Sequence, residues 1–491
     1  MLNVERQNAI SEAILRVCDL FRGGSSAIDG KDFALAMLLL KYLSDVAQVR
    51  PGTNDKRHLH GRFVVPKGSS FYDLRAAMQE SNNGLRFDKA LHAIEAANAE
   101  LREIFQGISF EGPSLGNAKQ KDRVLCQLLD AFNTDALNFD YGNREESAEA
   151  VAFACDSLIR YSAQNRGKSS PEFFTPPEIS LLIARMMQPK AGDTVGDPCC
   201  GSGSLLIACS QQAGRSTAGK GCMLYGQEKS GSNWALAQMN MILHGEVRHQ
   251  IEWGDSLRDP KLLDADGSLR KFDVVVSSPP LSLRDWGHDA ADQDVHQRYR
   301  RGVPPRASGT YAFVSHMIAT LKPETGRMAV VVSLGALFRG AVEGQIREQL
   351  LEENLIDAVI ALPPKLFPHT GIEVAIVVMR MNKTDEHVLF INASRSYQHG
   401  KIQNTLRETD LDLIEKTYLA RQDVAQFARL VTRAEIAAND NNLSVARYVD
   451  LTEDEPEVNL KALRAERASL NADLASLEGR LAALLAHIGY V

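Results

Sequence analysis

The stretch that most constrains this chain is residues 195–207. An apolar lead-in, Val195-Gly196, reaches an acid, Asp197; Pro198-Cys199-Cys200 and the turn Gly201-Ser202-Gly203 follow, and then the apolar run Leu205-Leu206-Ile207. A short strand closed by an acid, a glycine turn and a helix is how a strand–loop–helix unit for an adenosyl cofactor reads. Gly201 and Gly203 lack Cβ, so the backbone there can turn sharply and approach a ligand. The free N–H groups that open the next helix can face polar ligand groups. Alone, Gly-Ser-Gly is also a plain turn. A second stretch adds weight: Asp273-Val274-Val275-Val276-Ser277-Ser278-Pro279-Pro280-Leu281, another buried strand ending in polar residues and two prolines.

Between about 190 and 395 short apolar segments alternate with helical ones. Strands are expected at 194–196, 223–226, 250–253, 272–276, 328–332, 355–362 and 374–379. Val, Ile and Leu dominate them, as in strands buried on both faces. The fold class is therefore α/β, with a doubly wound, mostly parallel sheet. Ligands of such sheets bind outside the carboxyl ends of the strands, and Asp197, Glu228, Asp255 and Ser278 each close one. Glu228 can accept both ribose hydroxyls of an adenosyl cofactor, and Asp197 can face its methionine ammonium. For any one acid, a helix N-cap is an equally good use; three in register favour the cofactor.

At 491 residues and 44% hydrophobic content, the chain suits two or three domains. No apolar run reaches the ~18 residues of a membrane span, and no basic-then-apolar leader is present, so a cytoplasmic protein is expected. The seven cysteines (Cys18, Cys126, Cys155, Cys199, Cys200, Cys209, Cys222) form no Cys-x-x-Cys pair, which implies neither a zinc site nor a disulfide frame. Cys199 and Cys200 read as space-fillers beside the turn. A net charge of −7 argues against one broad nucleic-acid-gripping face; a local basic patch or a partner must supply such a grip. Two segments offer patches. Residues 50–67 form a basic loop that is either solvated surface or a phosphate contact. Arg298, Arg300, Arg301 and Arg306, interleaved with Tyr299, Gly302, Pro304 and Pro305, form another after the Pro-Pro stretch, where contact with a nucleic-acid backbone is favoured slightly over a plain surface loop.

The two opening stretches, in this order, resemble the amino-methyltransferases that act on DNA bases. Their cofactor is S-adenosylmethionine, and their catalytic tetrapeptide is Asn, Asp or Ser, then Pro-Pro, then an aromatic. Further segments are similar to one branch, the modification (M) subunit of type I restriction–modification systems. They are Lys31-Asp32-Phe33 through Lys41-Tyr42-Leu43-Ser44-Asp45, Glu172-Phe173-Phe174-Thr175-Pro176, Gly335-Ala336-Leu337-Phe338-Arg339-Gly340, Leu362-Pro363-Pro364-Lys365-Leu366-Phe367, and Asn439-Asp440-Asn441-Asn442-Leu443 with Arg447-Tyr448.

The resemblance implies that Ser278, Pro279, Pro280 and Leu281 are catalytic. It also implies that Phe174, Thr175, Asp197, Gly201, Ser202, Gly203, Glu228 and Asp255 hold the cofactor, Asp255 through the adenine amino group. Thr175 reads as a helix cap with Pro176 in the first turn. The substrate is double-stranded DNA with its target base flipped out. The partners are a specificity subunit, with a second M subunit and a restriction subunit in the same assembly. The tetrapeptide departs from the family twice: position 278 is Ser where adenine-methylating relatives mostly have Asn, and 281 is Leu instead of an aromatic. Ser-Pro-Pro is the form seen most in enzymes methylating N4 of cytosine. Adenine N6 is the favoured target; cytosine N4, and a catalytically weak scaffold, are the alternatives.

The readings divide the chain into a helical N-terminal domain (1–150), a Rossmann-like methyltransferase domain (151–455) and a C-terminal coiled-coil helix (456–491). In the last, Leu463, Leu470, Leu477 and Leu484 recur every seven residues, with Leu460, Leu474, Leu481 and Ile488 between them and Arg467 interrupting. Such a seam needs a mate, and the helical spacers of a specificity subunit fit.

Overall fold

The structure is a computed structural model, which describes residues 2–21, 30–48, 62–139, 144–165, 174–216, 221–368, 370–401, 403–451 and 460–490. Met1–Val449 forms one compact unit and Asp450–Val491 a second.

The N-terminal part is helical as expected. Its longer helices are Val4–Asp19, Gly30–Gln48, Asn83–Ala97, Ala118–Phe132 and Arg144–Asn165, the last running across residue 150. Two of their starts are legible locally: Asn3 accepts from the Arg6 N–H, and Asn117 forms a reciprocal capping box with Gln120. Helix Gly30–Gln48 has almost no polar face, and every residue from 33 to 45 is buried. One turn apart on it, Lys41 and Asp45 form a buried ion pair of 2.5 Å. Tyr72 Oη (2.6 Å) and the Phe139 N–H (2.9 Å) also donate to Asp45, and the rings of Phe71, Tyr72 and Phe139 surround the ammonium. A buried pair is tolerable when its remaining hydrogen-bonding capacity is filled in this way. Of the basic loop expected at 50–67, residues 50–61 lie outside the described residues; Arg62 pairs with Glu100.

All seven expected strands form: β1 (Thr194–Asp197), β2 (Met223–Glu228), β3 (His249–Trp253), β4 (Val274–Ser277), β5 (Arg327–Ser333), β6 (Ile356–Ala361) and β7 (Val374–Arg380). Two more, β8 (His387–Asn392) and β9 (Ala428–Thr432), extend the sheet. The order is β3-β2-β1-β4-β5-β7-β6-β8-β9. Five neighbouring pairs are parallel; β7 lies antiparallel between β5 and β6, and β9 antiparallel on β8. A parallel return needs a crossover, and among the described residues no helix lies between β6 and β7, so β7 runs back beside its predecessor.

The sheet is covered on both faces. Val274, Val276, Ala329 and Val331 join a hydrophobic cluster that continues into the N-terminal helices, while Val275, Met328, Val330 and Val332 join a second cluster on the other face. Alternation along a strand sends successive side chains to opposite faces, and both faces here are dry. That explains why the strands read as unbroken apolar runs.

The second unit is described from residue 460 onward apart from residues 450 and 451, so the boundary expected at 456 lies outside the described residues. Its helix, Leu460–His487, buries none of its residues. Leu463, Leu470, Leu477 and Leu484 are all more than half exposed. Among the described residues, no helix is long and apolar enough to cross a membrane.

Candidate active site

The chain leaves β1 toward β2 and β3 on one side of the sheet and resumes at β4 on the other. The carboxyl ends of β1 and β4 therefore flank a topological switch point, where open α/β sheets bind ligands. Asp197 ends β1, Glu228 ends β2, and Ser277-Ser278 end and follow β4.

Asp197 is buried and is the centre of the site. One carboxylate oxygen accepts from the Cys199 N–H (3.0 Å) and from Ser277 Oγ (2.7 Å). Burial pushes its carboxyl up to about 7; the two hydrogen bonds oppose the shift and the nearby Glu228 charge adds to it. Glu228 receives the Gly201 N–H on one oxygen (2.9 Å) and the Ser230 N–H on the other (2.8 Å). The strand-end acids thus hold the glycine loop. Gly201 has φ +54° and Gly203 +75°; a Cβ on Gly203 would meet Met241 Cε at 2.8 Å. Ser202 is fixed by its carbonyl, which accepts from Asn240 (2.8 Å), and by its hydroxyl against Ser204 (2.9 Å). Burial pushes the Cys199 and Cys200 thiols well up, and Cys199 Sγ lies 3.0 Å from Ser277 Oγ.

Asp255 follows β3. It caps a turn through the N–H groups of Leu257 (3.1 Å) and Arg258 (3.3 Å) and pairs with Lys229 (3.0 Å). Phe174 packs half-buried against the main core, while Phe173 lies outside the described residues. The expected cap is corrected by one residue. The helix is Pro177–Met187, with Pro176 at the cap position and no side-chain cap bond, so Thr175 does not cap it. Pro177 has no N–H to leave orphaned, which suits a first turn.

At the end of β4 two serines divide the work. Ser277 is buried and bonds Asp197; the half-buried Ser278 follows it, then buried Pro279, half-buried Pro280 and buried Leu281. Ser277 was not singled out from sequence, yet it joins the glycine-loop strand to the Ser278–Leu281 segment.

The basic loop needs correction. Arg298 is buried, paired with Asp294 (2.7 Å); it donates to the carbonyls of Ser256 (3.0 Å) and Leu257 (2.8 Å), and lies 3.1 Å from Nδ1 of His316. Burial and the Arg298 charge press His316 down to about 3, so the ring is neutral there. Arg301 is equally buried in a two-pronged pair with Glu353 (2.8 and 2.5 Å). Neither is available to a phosphate. Arg298 instead ties down the loop that carries Asp255. Arg300 and Arg306 are exposed and paired with Glu353 and Asp289.

Residues 147–457 match the N-6 DNA methylase family, and residues 10–132 match the HsdM N-terminal domain. This chain belongs to the N-6 DNA methylase family. Among relatives, it is 31% identical to the MjaVII type I restriction enzyme methylase subunit of Methanocaldococcus jannaschii, over 76% of this chain and 64% of that one. It is 28% identical to the MpnII methylase subunit of Mycoplasma pneumoniae, over 94% and 92%. Among solved structures, the type I methyltransferase subunit of Streptococcus thermophilus superimposes with a TM-score of 0.79 at 27% identity, covering 91% of this chain and all of that one. As an N-6 DNA methylase of the type I methylase-subunit branch, the chain acts on the exocyclic amine of adenine, with S-adenosylmethionine as methyl donor. That corrects the N4-cytosine alternative.

The candidate site has features that fit this cofactor. Two buried acids lie close together at the switch point, Asp197 with its carboxyl raised to about 7, and a cationic ligand relieves such an arrangement. The space over Gly201 is free of any atom within 4 Å of where a Cβ would stand. Among the described residues no cluster of His, Cys, Asp and Glu could hold a metal.

Proposed function

We propose that residues 278–281 are the methyl-transfer segment of this N-6 DNA methylase and that Asp197, Gly201, Ser202, Gly203 and Glu228 hold its cofactor, with Phe174, Thr175 and Asp255 at the margins of the same site. The observation that supports this reading is the Ser277–Asp197 bond of 2.7 Å, which ties Asp197 to the residue before Ser278.

Bound S-adenosylmethionine supplies an electrophilic methyl group on a sulfonium. The work of the chain is to position the amine against it. An exocyclic amine is a weak nucleophile because its lone pair is delocalised into the ring. The Ser278 hydroxyl can accept one N–H and the Pro279 carbonyl the other, which localises the lone pair toward the methyl group. In-line placement then supplies much of the rate. The prolines stiffen the segment. Leu281 gives apolar contact to the flipped base without the ~1–3 kcal/mol that aromatic stacking contributes. Asp197 faces the methionine ammonium, and Glu228 the ribose.

The helical part at 1–150 and the sheet part at 151–455 form the catalytic body, working in the cytoplasm on double-stranded DNA. The Leu460–Ile488 seam docks on the specificity subunit that chooses the site, in an assembly that includes a second M subunit and a restriction subunit. The test is base-resolved methylation mapping of DNA exposed to the complex. N6-methyladenine at one recurring site is expected, and it should vanish in Ser278→Ala while cofactor binding by calorimetry persists. Unchanged methylation by Ser278→Ala overturns the reading.

A further inference from the structure

Beyond Leu281 the methyl-transfer segment opens onto a cavity of about 650 Å³, walled by residues after β4, after β5 and before β7. It is roomy enough for a nucleotide. Two of its lining side chains are buried polar groups with no hydrogen-bond partner: the Ser333 hydroxyl, and Glu343, whose side chain is only 2% exposed and whose two carboxylate oxygens both go unbonded. The cation against Glu343 is Arg339, one turn earlier, with Nη1 at 3.5 Å. The neighbouring Arg347 is committed to the carbonyls of Ala336 and Asn441. A second arginine, Arg284, lines the same cavity three residues after Leu281; it is exposed and, among the described residues, has no ion pair or side-chain hydrogen bond.

We propose that Arg284 and Arg339 hold the phosphates on either side of the flipped adenosine at the mouth of this cavity, and that Glu343 is the positioning residue that fixes Arg339 there. The proposal rests on the reading of residues 278–281 as the methyl-transfer segment. The argument is one of preorganisation. A buried carboxylate left without a counter-charge is costly, so Arg339 cannot swing away without exposing Glu343 to that cost. Its guanidinium lies across Gly335, where a Cβ would stand 2.6 Å from Nη2 and push the guanidinium aside. Arg339 remains nearly half exposed. A guanidinium has five N–H donors in a fixed fork, and its contacts to Glu343 and to Ser308 (3.5 Å) leave most of them for a phosphate. The backbone beside it is held unusually, with Ala341 at φ +52°, a conformation a non-glycine residue rarely keeps without reason. Glu373, exposed on the same cavity wall, opposes a phosphate.

The test uses the full chain with its specificity subunit and a duplex carrying the mapped site. Dissociation constants for DNA are measured across a salt series, and cofactor affinity by calorimetry serves as the check on folding. Arg284→Ala and Arg339→Ala should each weaken DNA binding and flatten the slope of log affinity against log salt by about 0.9, with cofactor affinity unchanged. Glu343→Gln should weaken DNA binding as Arg339→Ala does, and the Arg339→Ala/Glu343→Gln double variant should be no worse than Arg339→Ala alone. Glu373→Gln should tighten DNA binding. Wild-type salt slopes in both arginine variants, alongside an inactive Ser278→Ala, overturn this proposal alone. An active Ser278→Ala overturns the reading on which it rests.

Discussion

Burial holds the Asp197 carboxyl at about 7 against an ordinary 3.8, which makes cofactor binding a titration. If Asp197 faces the methionine ammonium, only the ionised form binds well. With a carboxyl at about 7, roughly 3% is ionised at pH 5.5 and about 76% at pH 7.5, so affinity should rise about 25-fold, or ~2 kcal/mol, across that window. The ammonium keeps its own proton up to nearly pH 8, which sets the upper limit. Binding should release close to one proton at pH 5.5 and about a quarter of one at pH 7.5. Calorimetry in two buffers of different ionisation heat reads both quantities. The stability of the cofactor-free chain should move in the opposite direction. Because the folded carboxyl lies above its unfolded value, its contribution is fully present below about pH 4 and is lost as pH rises through 7. The difference in Tm between wild type and Asp197→Asn isolates that contribution from other titrating groups. A flat affinity profile, or the same profile in Asp197→Asn, refutes the reasoning.

Gly203→Val should abolish cofactor binding in calorimetry, because a Cβ there strikes Met241 on a backbone at φ +75°; the melting temperature should drop as well. Asp45→Asn removes the buried carboxylate paired with Lys41, and breaking such a pair should cost about 3–5 kcal/mol in denaturant unfolding. Arg298→Met should weaken cofactor binding by loosening the Ser256-Leu257 loop, while the salt dependence of DNA binding stays that of wild type; a flattened salt slope would restore the phosphate-contact reading. Removing Asp450–Val491 should leave the first unit folded but unable to co-purify with the specificity subunit.

The seven strands were legible because both faces of the sheet are dry, which writes each strand as an apolar run. The strand-end acids were legible for a similar reason: an acid after such a run sits at a carboxyl end wherever the strand goes. β9 was missed because it is only partly buried and carries Arg429 within it, so it does not read as an apolar run; β8 was missed although Val388–Ile391 is as buried as the other strands. The arginine loop misled because a sequence displays charges without their partners. Glu353 is 52 positions from Arg301, and nothing local announces the pair. Asp294, four residues before Arg298, was a signal within reach. Between Ser277 and Ser278, strand alternation decides which faces Asp197, and a one-residue choice of that kind depends on where the strand ends. Glu343 was invisible for a different reason: an acid in the first turn of a helix is ordinary, and only its burial makes it unusual.

The leucines of helix Leu460–His487 carry one more implication, for the fate of a subunit that has not found its complex. A helix that buries none of its residues lacks the packing that supplies most helical stability in proteins, and a row of exposed leucines is a surface that other molecules cover. Until assembly covers it, this tail is open to proteases and to self-association. Shielding by the specificity subunit would then set the lifetime of the methylase, so that copies lacking a subunit to direct them are cleared first.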